Sequence, residues 1–362
     1  MKKIDINITT LSAQDYPIFI GKNILKQGSE FLTETFKNYR FACLIDSNVN
    51  LLYREKIDKF CKKLNAEKLL FPAGEENKTL AVAENLTQNL LEKNYGRKTL
   101  ICNIGGGVVG DAGGFIAANF MRGVPFVQVP TSLLAMVDAS VGGKVAVDVG
   151  GFKNSFGSFV SPVAIFTDIE FLKKLPKKEF ESGLGECLKH GILGNEKLLK
   201  RIENPSGLER FVIENIQFKK AVVEKDFREN GIRTILNLGH TIGHAIESFF
   251  LNTENQVSHG EAVILGILAE TKILESKNIL TTKETEKIRE IFKTHNLSVT
   301  LSAEIDPEKL WDFAHKDKKN KSGNVYISRI ENIGDNLSNT KPYKVSITKN
   351  DFLHGLNAIL KT

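Results

Sequence analysis

Short apolar runs alternate with segments of helical periodicity over the first half of the chain. Five β-rich runs have the length of buried strands: 41–45, 68–71, 99–104, 126–129 and 163–166. Between two of them, residues 80–91 repeat apolar positions at helical spacing behind Thr79, a residue type that caps helix N-termini. Strands that alternate with helices indicate a parallel sheet with crossover helices. The pattern therefore predicts an α/β domain with a mainly parallel sheet over residues 1–172.

The second half keeps the helical periodicity and loses most of the strand signal. Three long segments carry apolar positions at helical spacing: 179–193, 208–226 and 262–277. Weaker features close the chain, namely β runs at 325–330 and 344–347 that predict a hairpin, and an amphipathic helix at 351–360. We predict a second, mostly α-helical domain over residues 173–362, with the boundary near 168–178. The cleft between two domains is the default place for an active site.

Composition and charge define the broad class. A chain of 362 residues with 41% hydrophobic and 25% charged positions is typical of a folded protein of about two domains. Its formal charge of +6 suits anionic small molecules at least as well as nucleic acid. The four cysteines form no Cys-x-x-Cys pair, which favours a reducing compartment. Without an apolar leader or an apolar run of roughly 18 residues, we expect a cytoplasmic protein that is not bound to a membrane.

A glycine loop follows the third predicted strand. Residues 105–111 read GGGVVGD between that strand and an apolar helical segment, which matches G-x-G-x-x-G in its required context. Backbone N–H groups of such a loop can approach a phosphate at the helix N-terminus. The usual acidic residue about 20 positions later is missing, although Asp46 follows an earlier strand. Two interpretations of the glycine loop therefore stay open: a dinucleotide site with a different strand order, and a plain tight turn. A second loop, residues 74–79, is by itself typical of a surface turn.

Histidines concentrate in the helical half. His240 and His244 are four residues apart and share one face if their segment is helical, and His259 follows 15 residues after His244. Three such side chains with a carboxylate, for which Glu186 is the candidate, can hold one divalent ion. Position 241 is Thr, so the segment lacks the Glu of zinc-protease H-E-x-x-H motifs. The alternatives are a structural histidine pair and a surface ion pair between Glu186 and Lys189.

Taken together, the motifs resemble the dehydroquinate synthase family, whose sugar phosphate cyclase relatives share its architecture. The resemblance covers about residues 40–320 and rests on several strings in the family's order: 105–111, 121–144, 153–154, 186–189, 231–233, 237–247 and 259–261. It implies an N-terminal NAD-binding domain and a C-terminal metal-binding domain. It also implies a cytoplasmic homodimer that uses NAD and a divalent metal, zinc or alternatively cobalt.

The resemblance also implies a reaction. The substrate is expected to be 3-deoxy-D-arabino-heptulosonate 7-phosphate, a phosphorylated sugar acid, and the products 3-dehydroquinate and phosphate, in the shikimate route to aromatic amino acids. NAD oxidises the substrate transiently, phosphate is eliminated, the hydride returns and an intramolecular aldol closes the ring. Because NAD ends unchanged, the enzyme is expected to be a phosphate-eliminating lyase.

Site roles carry over position by position. The resemblance implies metal ligation by Glu186, His240 and His259, acid/base chemistry by His244, and proton acceptance by Glu229. The implied substrate-binding residues are Arg122, Asp138, Lys144, Asn154, Lys189, Lys219, Arg233 and Asn237, with one lysine of the run 317–319. The implied NAD-binding residues are Asp46, Asn48, Glu75, Lys78, Gly106, Gly107, Val108, Asp111, Thr131, Ser132 and Lys153.

Some positions depart from the family pattern, and three alternatives stay open. Gly185, Val145 and Phe227 stand where the family more often has Ala, Thr and an acid, but no implied ligand is lost. One alternative is another sugar phosphate cyclase, and a second is an NAD- and metal-dependent polyol dehydrogenase. A nucleic-acid binder is the third, with a basic run at 316–321 that has no interleaved aromatic residue; we expect no nucleic-acid partner.

Overall fold

The computed structural model describes residues 14–150, 152–200, 205–250, 253, 257–302, 304–316, 324–337 and 342–360. The chain divides into two compact units. The first comprises Met1–Thr131 and Gly142–Phe171, and the second comprises Ser132–Val141 and Leu172–Thr362. The segment Ser132–Val141 therefore belongs with the helical unit, although residues on both sides of it belong to the α/β unit.

Within the described part of the first unit, six strands form a parallel sheet. Its strands are β1 (Ile18–Gly21), β2 (Arg40–Asp46), β3 (Glu67–Phe71), β4 (Thr99–Gly105), β5 (Phe126–Pro130) and β8 (Ala164–Asp168), in the order β1-β8-β5-β4-β2-β3. A two-stranded antiparallel sheet is formed by β6 (Lys144–Val149) and β7 (Phe152–Phe159). The five predicted strands are confirmed as β2, β3, β4, β5 and β8.

Helices cover this sheet because their apolar faces pack on strands that are buried on both sides. They are α1 (Leu25–Thr35), α2 (Ser47–Leu52), α3 (Arg54–Leu64), α4 (Leu80–Glu92) and α5 (Gly107–Asn119). Every residue of β4 and β5 is buried. Thr79 caps α4 as predicted, since its side chain accepts from the Val82 amide.

The second unit is mostly helical, as predicted. Its helices are α6 (Lys177–Gly194), α7 (Pro205–Lys225), α8 (His240–Phe250), α9 (His259–Ser276), α10 (Thr282–Thr294), α11 (Pro307–Lys316) and α12 (Lys349–Asn357). The predicted hairpin is confirmed as β9 (Val325–Ser328) antiparallel to β10 (Lys344–Ile347). In Ser132–Val141, a π-helical turn at Ala135–Ala139 packs on α6 and α7. Among the described residues, no helix is both long enough and apolar enough to span a membrane.

Candidate active site

Three ligand-type side chains converge in the second unit. Glu186 lies on α6, while His240 and His259 are the first residues of α8 and α9. The two histidine Nε2 atoms lie 3.7 and 3.8 Å from Glu186 Oε1. Glu186 is fully buried; the Lys189 ammonium contacts its Oε2, and its Oε1 has no hydrogen-bond partner among the described residues. A buried carboxylate oxygen without a hydrogen bond beside two imidazoles fits a divalent cation, which would supply the missing interaction.

Hydrogen bonds on the far side of each imidazole fix its tautomer. His240 Nδ1 lies 3.2 Å from the carbonyl oxygen of Leu238, and His259 Nδ1 lies 3.3 Å from Glu247 Oε2. Because those oxygens only accept, Nδ1–H donates in both rings, and in the neutral imidazoles the Nε2 lone pairs face Glu186. This orientation is the one that a metal-ligating histidine needs.

Glycines bring the two histidine-bearing helices close together. Gly239 has φ +80°, and a Cβ there would lie 2.6 Å from the carbonyl oxygen of Val263. A Cβ at Gly243 would lie 2.8 Å from the carbonyl oxygen of Ala262. Side chains at either position would therefore push α8 away from α9. At the start of α9, the Ser258 side chain accepts from the backbone amide of Glu261, which fixes where the helix begins.

His244 lies beside the three candidate ligands, one helical turn after His240. Its ring centroid is 5.2 Å from that of His240 and 6.1 Å from that of His259. His244, Glu247 and His259 also form a second group whose candidate ligand atoms lie within 4.8 Å of one another. The predicted one-face arrangement of His240 and His244 is confirmed by α8.

Buried charges adjoin this cluster. The Lys189 ammonium contacts Glu186 Oε2, and the side chains are 1% and 0% exposed, so the surface ion-pair interpretation is wrong. Lys219 Nζ lies 2.6 Å from Asp138 Oδ1. Burial would raise the pKa of the Asp138 carboxyl, but Lys219, together with His190 and Lys189, holds that pKa well below its usual range.

A histidine that the resemblance gave no role extends this network. His190 is fully buried, with Nε2 3.6 Å from Asp138 Oδ1 and Nδ1 3.0 Å from Asn215 Oδ1. Asn215 in turn donates to the carbonyl oxygen of Phe211 at 2.9 Å. No sequence signal marks Asn215, because it lies 25 residues from His190 on another helix.

A loop after α7 gathers Arg233, Glu229 and Asn237. Asp226 accepts from the backbone amides of Gly231 and Arg233 at 2.7 and 3.0 Å. Burial would raise the pKa of the Asp226 carboxyl, but these N–H bonds lower it below its usual value. Asn237 Nδ2 donates to Glu229 Oε1, and Glu229 has φ +59°. The side chain of Glu229 is thus held by Asn237 rather than freely solvated.

The glycine loop of the first unit lies at a change of direction in the strand order. The chain moves outward from β2 to β3, then returns to place β4 on the other side of β2. Ligands of open parallel sheets bind at the carboxyl ends of strands at such a switch point. Asp46 ends β2 and Gly106 follows β4, and a Cβ at Gly105 would lie 3.2 Å from Asp46 Cβ. Helix α5 begins at Gly107 with no side-chain cap, which leaves its first amides for an anion.

Four residues with implied NAD roles form a charged group. Lys78 Nζ lies 2.7 Å from Asp111 Oδ2 and 3.8 Å from Glu75 Oε1, and Lys153 Nζ lies 3.6 Å from the same Glu75 oxygen. Burial alone would lower the pKa of Lys78, but Asp111 and Glu75 raise it above its usual value. Lys78 is 3% exposed. The surface-turn interpretation of 74–79 is therefore wrong for its lysine.

The remaining predicted residues lie at strand ends and turns. Asp46 caps α2 by accepting from the amides of Asn48 and Val49 at 2.9 and 3.0 Å. The Thr131 amide donates to the carbonyl oxygen of Gly105 at 2.9 Å. Others are placed as follows: Val108 in the first turn of α5, Ser132 in the second unit, Lys144 at the start of β6, and Arg122 and Asn154 at positive φ of 68° and 50°. The run 317–319 lies outside the described residues, as does most of the basic run 316–321.

The fold defines a class of two-unit proteins in which an α/β unit accompanies a mostly helical unit, here with a histidine and carboxylate cluster. A solved structure of 2-deoxy-scyllo-inosose synthase, complexed with carbaglucose-6-phosphate, NAD+ and Co2+, matches with a TM-score of 0.84 and 23% identity, covering 94% of this chain and 95% of that one. A 2-epi-5-epi-valiolone synthase from Streptomyces hygroscopicus, with NAD+ and Zn2+ bound, matches with a TM-score of 0.82 and 21% identity over 98% and 99%.

Sequence comparisons narrow the class to one family. The models of the 3-dehydroquinate synthase N-terminal and C-terminal regions match residues 68–182 and 183–320. A 3-dehydroquinate synthase from Streptococcus pyogenes serotype M3 is 37% identical over 319 residues, 86% of this chain and 88% of the relative. Another from Clostridium acetobutylicum is 37% identical over 335 residues, 90% and 93% of the two chains. The chain belongs to the 3-dehydroquinate synthase family.

Proposed function

We propose that this chain converts 3-deoxy-D-arabino-heptulosonate 7-phosphate to 3-dehydroquinate and phosphate, with NAD and a divalent metal as cofactors. The observation that carries the proposal is the convergence of Glu186, His240 and His259 beside buried Lys189 and Lys219. A carbohydrate phosphate that must lose its phosphate needs both a Lewis acid and several cations. The two relatives named 3-dehydroquinate synthase, which align over most of this chain, support this reaction.

Glu186, His240 and His259 would hold the metal. Both imidazoles present Nε2 towards Glu186 Oε1, and the two nitrogens with one carboxylate oxygen are a donor set that zinc accepts. A divalent ion held there supplies a Lewis acid that makes a bound substrate hydroxyl more acidic. His244 lies next to the same centre and would exchange a proton with a substrate oxygen. Glu229, oriented by Asn237, would accept a proton.

The substrate would be bound through its phosphate and carboxylate by cations and amides. In the second unit these are Lys189, Lys219, Arg233 and Asn237, with Asp138 holding Lys219 in place. Arg233 is 2% exposed and its Nη1 donates to the carbonyl oxygen of Phe227, so its guanidinium has a fixed orientation. The substrate residues proposed from the first unit are Arg122, Lys144 and Asn154.

NAD would bind at the switch point of the sheet. Gly106, Gly107 and Val108 offer backbone N–H groups to the pyrophosphate, and Asp46 and Asn48 lie where a ribose would follow. The other NAD-binding residues in the proposal are Glu75, Lys78, Asp111, Thr131, Ser132 and Lys153. NAD bound there supplies a hydride acceptor that is regenerated within each turnover.

Three further properties belong to the proposal. Zinc is the proposed metal, because the imidazole and carboxylate donors suit it. A cytoplasmic location is supported by the four cysteines, which are all buried free thiols. A homodimer is proposed from the family resemblance and would be measured by light scattering of the purified protein. No nucleic acid or membrane is proposed as a partner.

Phosphate release from the heptulosonate phosphate tests the function. Purified protein should release phosphate only with both NAD and metal, should stop after chelation, and should accumulate no net NADH. Phosphate release with a carbocyclic product other than 3-dehydroquinate would favour a different cyclase. NADH accumulating with simple polyols, without phosphate release, would replace the cyclase by a dehydrogenase on the same fold.

A further inference from the structure

Glu270 is a fully buried carboxylate in the middle of α9, and no residue role discussed above uses it. Its Oε2 accepts from the backbone amide of Gly239 at 2.8 Å. Its Oε1 accepts from the amides of Thr241 and Ile242 at 3.1 and 3.3 Å. A single side chain of α9 thus satisfies three amides at the N-terminus of α8, where helical N–H groups have no partner in their own helix.

These three amides surround a proposed metal ligand. Gly239 and Thr241 are the neighbours of His240 on either side, and the carbonyl oxygen of Leu238 accepts from His240 Nδ1. Fixing the peptide groups around His240 fixes both the start of its side chain and the acceptor that sets its tautomer. A carboxylate is also well suited to this place, because helix N-termini favour negative charge.

Glu270 joins the helices that carry the two histidine ligands. His259 begins α9 and Glu270 lies three turns further along the same helix, while His240 begins α8. The glycine contacts described above set the distance between the helix backbones. The Glu270 bonds add what glycine packing does not, namely the rotation and axial position of α8 against α9.

We infer that Glu270 is a positioning residue that pre-sets His240 against His259 and thereby determines the metal affinity of the centre. The inference rests on the proposed metal site. It predicts that loss of the Glu270 bonds weakens metal binding in protein that is still folded. If Glu270 only stabilised the fold, the metal affinity of the folded protein would not change.

Glu270→Gln is the informative variant, because it keeps the size of the side chain while an NH₂ group replaces one of two accepting oxygens. We expect the metal dissociation constant, measured by chelator competition with Zn²⁺, to rise about 10- to 100-fold, the range for lost supporting contacts around metal ligands. The visible absorption of the Co²⁺-loaded variant should also change, since the histidine geometry changes. The NAD dissociation constant should stay within about twofold.

Glu275→Gln is the matched control, because Glu275 lies on the same helix and bonds Lys272 and Thr282 rather than α8. Its metal affinity and Co²⁺ spectrum should equal those of the wild type. A folded Glu270→Gln protein with wild-type affinity and spectrum would overturn the inference. If wild-type protein binds no metal, the proposed site fails instead, and that result is distinct.

A measurement on wild-type protein covers the case in which the variant does not fold. Hydrogen exchange of the Thr241 and Ile242 amides is compared with and without Zn²⁺. Pre-set positioning predicts strong protection in both states, because the acceptor is Glu270 rather than anything the metal brings. Protection that appears only with Zn²⁺ would show that the metal orders this turn, and the inference would be wrong.

Discussion

The ion pair between Lys219 and Asp138 gives a quantitative prediction. Their side chains keep 7% and 23% of their surface exposed. Replacing Asp138 leaves the Lys219 ammonium buried without its counterion, and replacing Lys219 leaves Asp138 with only the weaker support of His190 and Lys189. Breaking a buried pair in this way costs about 3–5 kcal/mol. Because Asp138 retains some solvent contact, we expect the lower end, about 3 kcal/mol, for Lys219→Met or Asp138→Asn. At about 1.4 kcal/mol per factor of ten, the folding equilibrium constant falls by roughly a hundredfold.

The fluorescence of Trp311 can report unfolding of the helical unit specifically. It is the single tryptophan of the chain, lies on α11 and packs 5.4 Å from the ring of Phe352. Urea unfolding followed by its fluorescence measures the free energy of unfolding of the unit that contains both charges. The double variant, with neither charge, should lose at least about 1 kcal/mol less than the sum of the single losses.

An exposed ion pair on α7, the helix that carries Lys219, is the control. Lys220 lies 2.8 Å from Glu224, with the two side chains 59% and 60% exposed. Lys220→Met should change the free energy of unfolding by less than about 1 kcal/mol, as for other exposed pairs. Losses below about 1 kcal/mol for both buried-pair variants, or losses that simply add in the double variant, would refute the reasoning.

The pH dependence follows from the lowered pKa of Asp138. A carboxyl with a folded-state pKa below its unfolded value stabilises the fold above the unfolded pKa, about 3.9. That stabilisation is lost as the pH falls through the folded pKa. The difference in free energy of unfolding between the wild type and Asp138→Asn should therefore be constant near neutral pH and shrink below about pH 4.

Three other variants test the rest of the site. Glu186→Ala should abolish metal binding and activity while NAD affinity stays near the wild-type value; an equal loss of NAD affinity would contradict the division of labour. Glu247→Ala should weaken Zn²⁺ binding about 10- to 100-fold in a chelator competition, because His259 loses its Nδ1 partner; unchanged affinity would remove that role. Gly105→Ala should weaken NAD binding in a fluorescence titration, because its Cβ would lie 2.7 Å from Val109 Cβ; wild-type affinity would show that the loop tolerates the shift.

The features that could be predicted from the sequence are those that a local pattern of residues determines, namely strands and helix faces. Four of the five predicted strands contain an uninterrupted buried run of at least five residues, and β3 buries Leu69 and Phe71 beside an exposed Leu70. In contrast, β1 has only four residues, none of them fully buried, and was missed. The spacing predicted that His240 and His244 share one face if their segment is helical, and α8 meets that condition. The burial of a charged pair was not predictable, because an i, i+3 pair such as Glu186 and Lys189 has the same spacing on a surface as in a core.

Contacts between segments that are distant in the sequence could not be predicted from hydrophobic periodicity either. His190 meets Asn215, and Glu270 meets the amides around His240, through the packing of different helices. Periodicity identifies which face of a helix is buried, but it does not identify the partner of a polar group on that face. Predicting such pairs needs the crossing of the helices themselves.

The segment Ser132–Val141 gives the chain an order of assembly during synthesis. Asp138 leaves the ribosome 81 residues before Lys219, which at about 5–20 residues per second is roughly 4–16 seconds. Segment Ser132–Val141 is therefore synthesised between two parts of the α/β unit, before the helices of the second unit that it packs against. Its ion pair forms only after Lys219 has been made. A truncated chain that starts at Leu172 would lack that segment, so its failure to fold would report a missing part rather than dependence of one unit on the other.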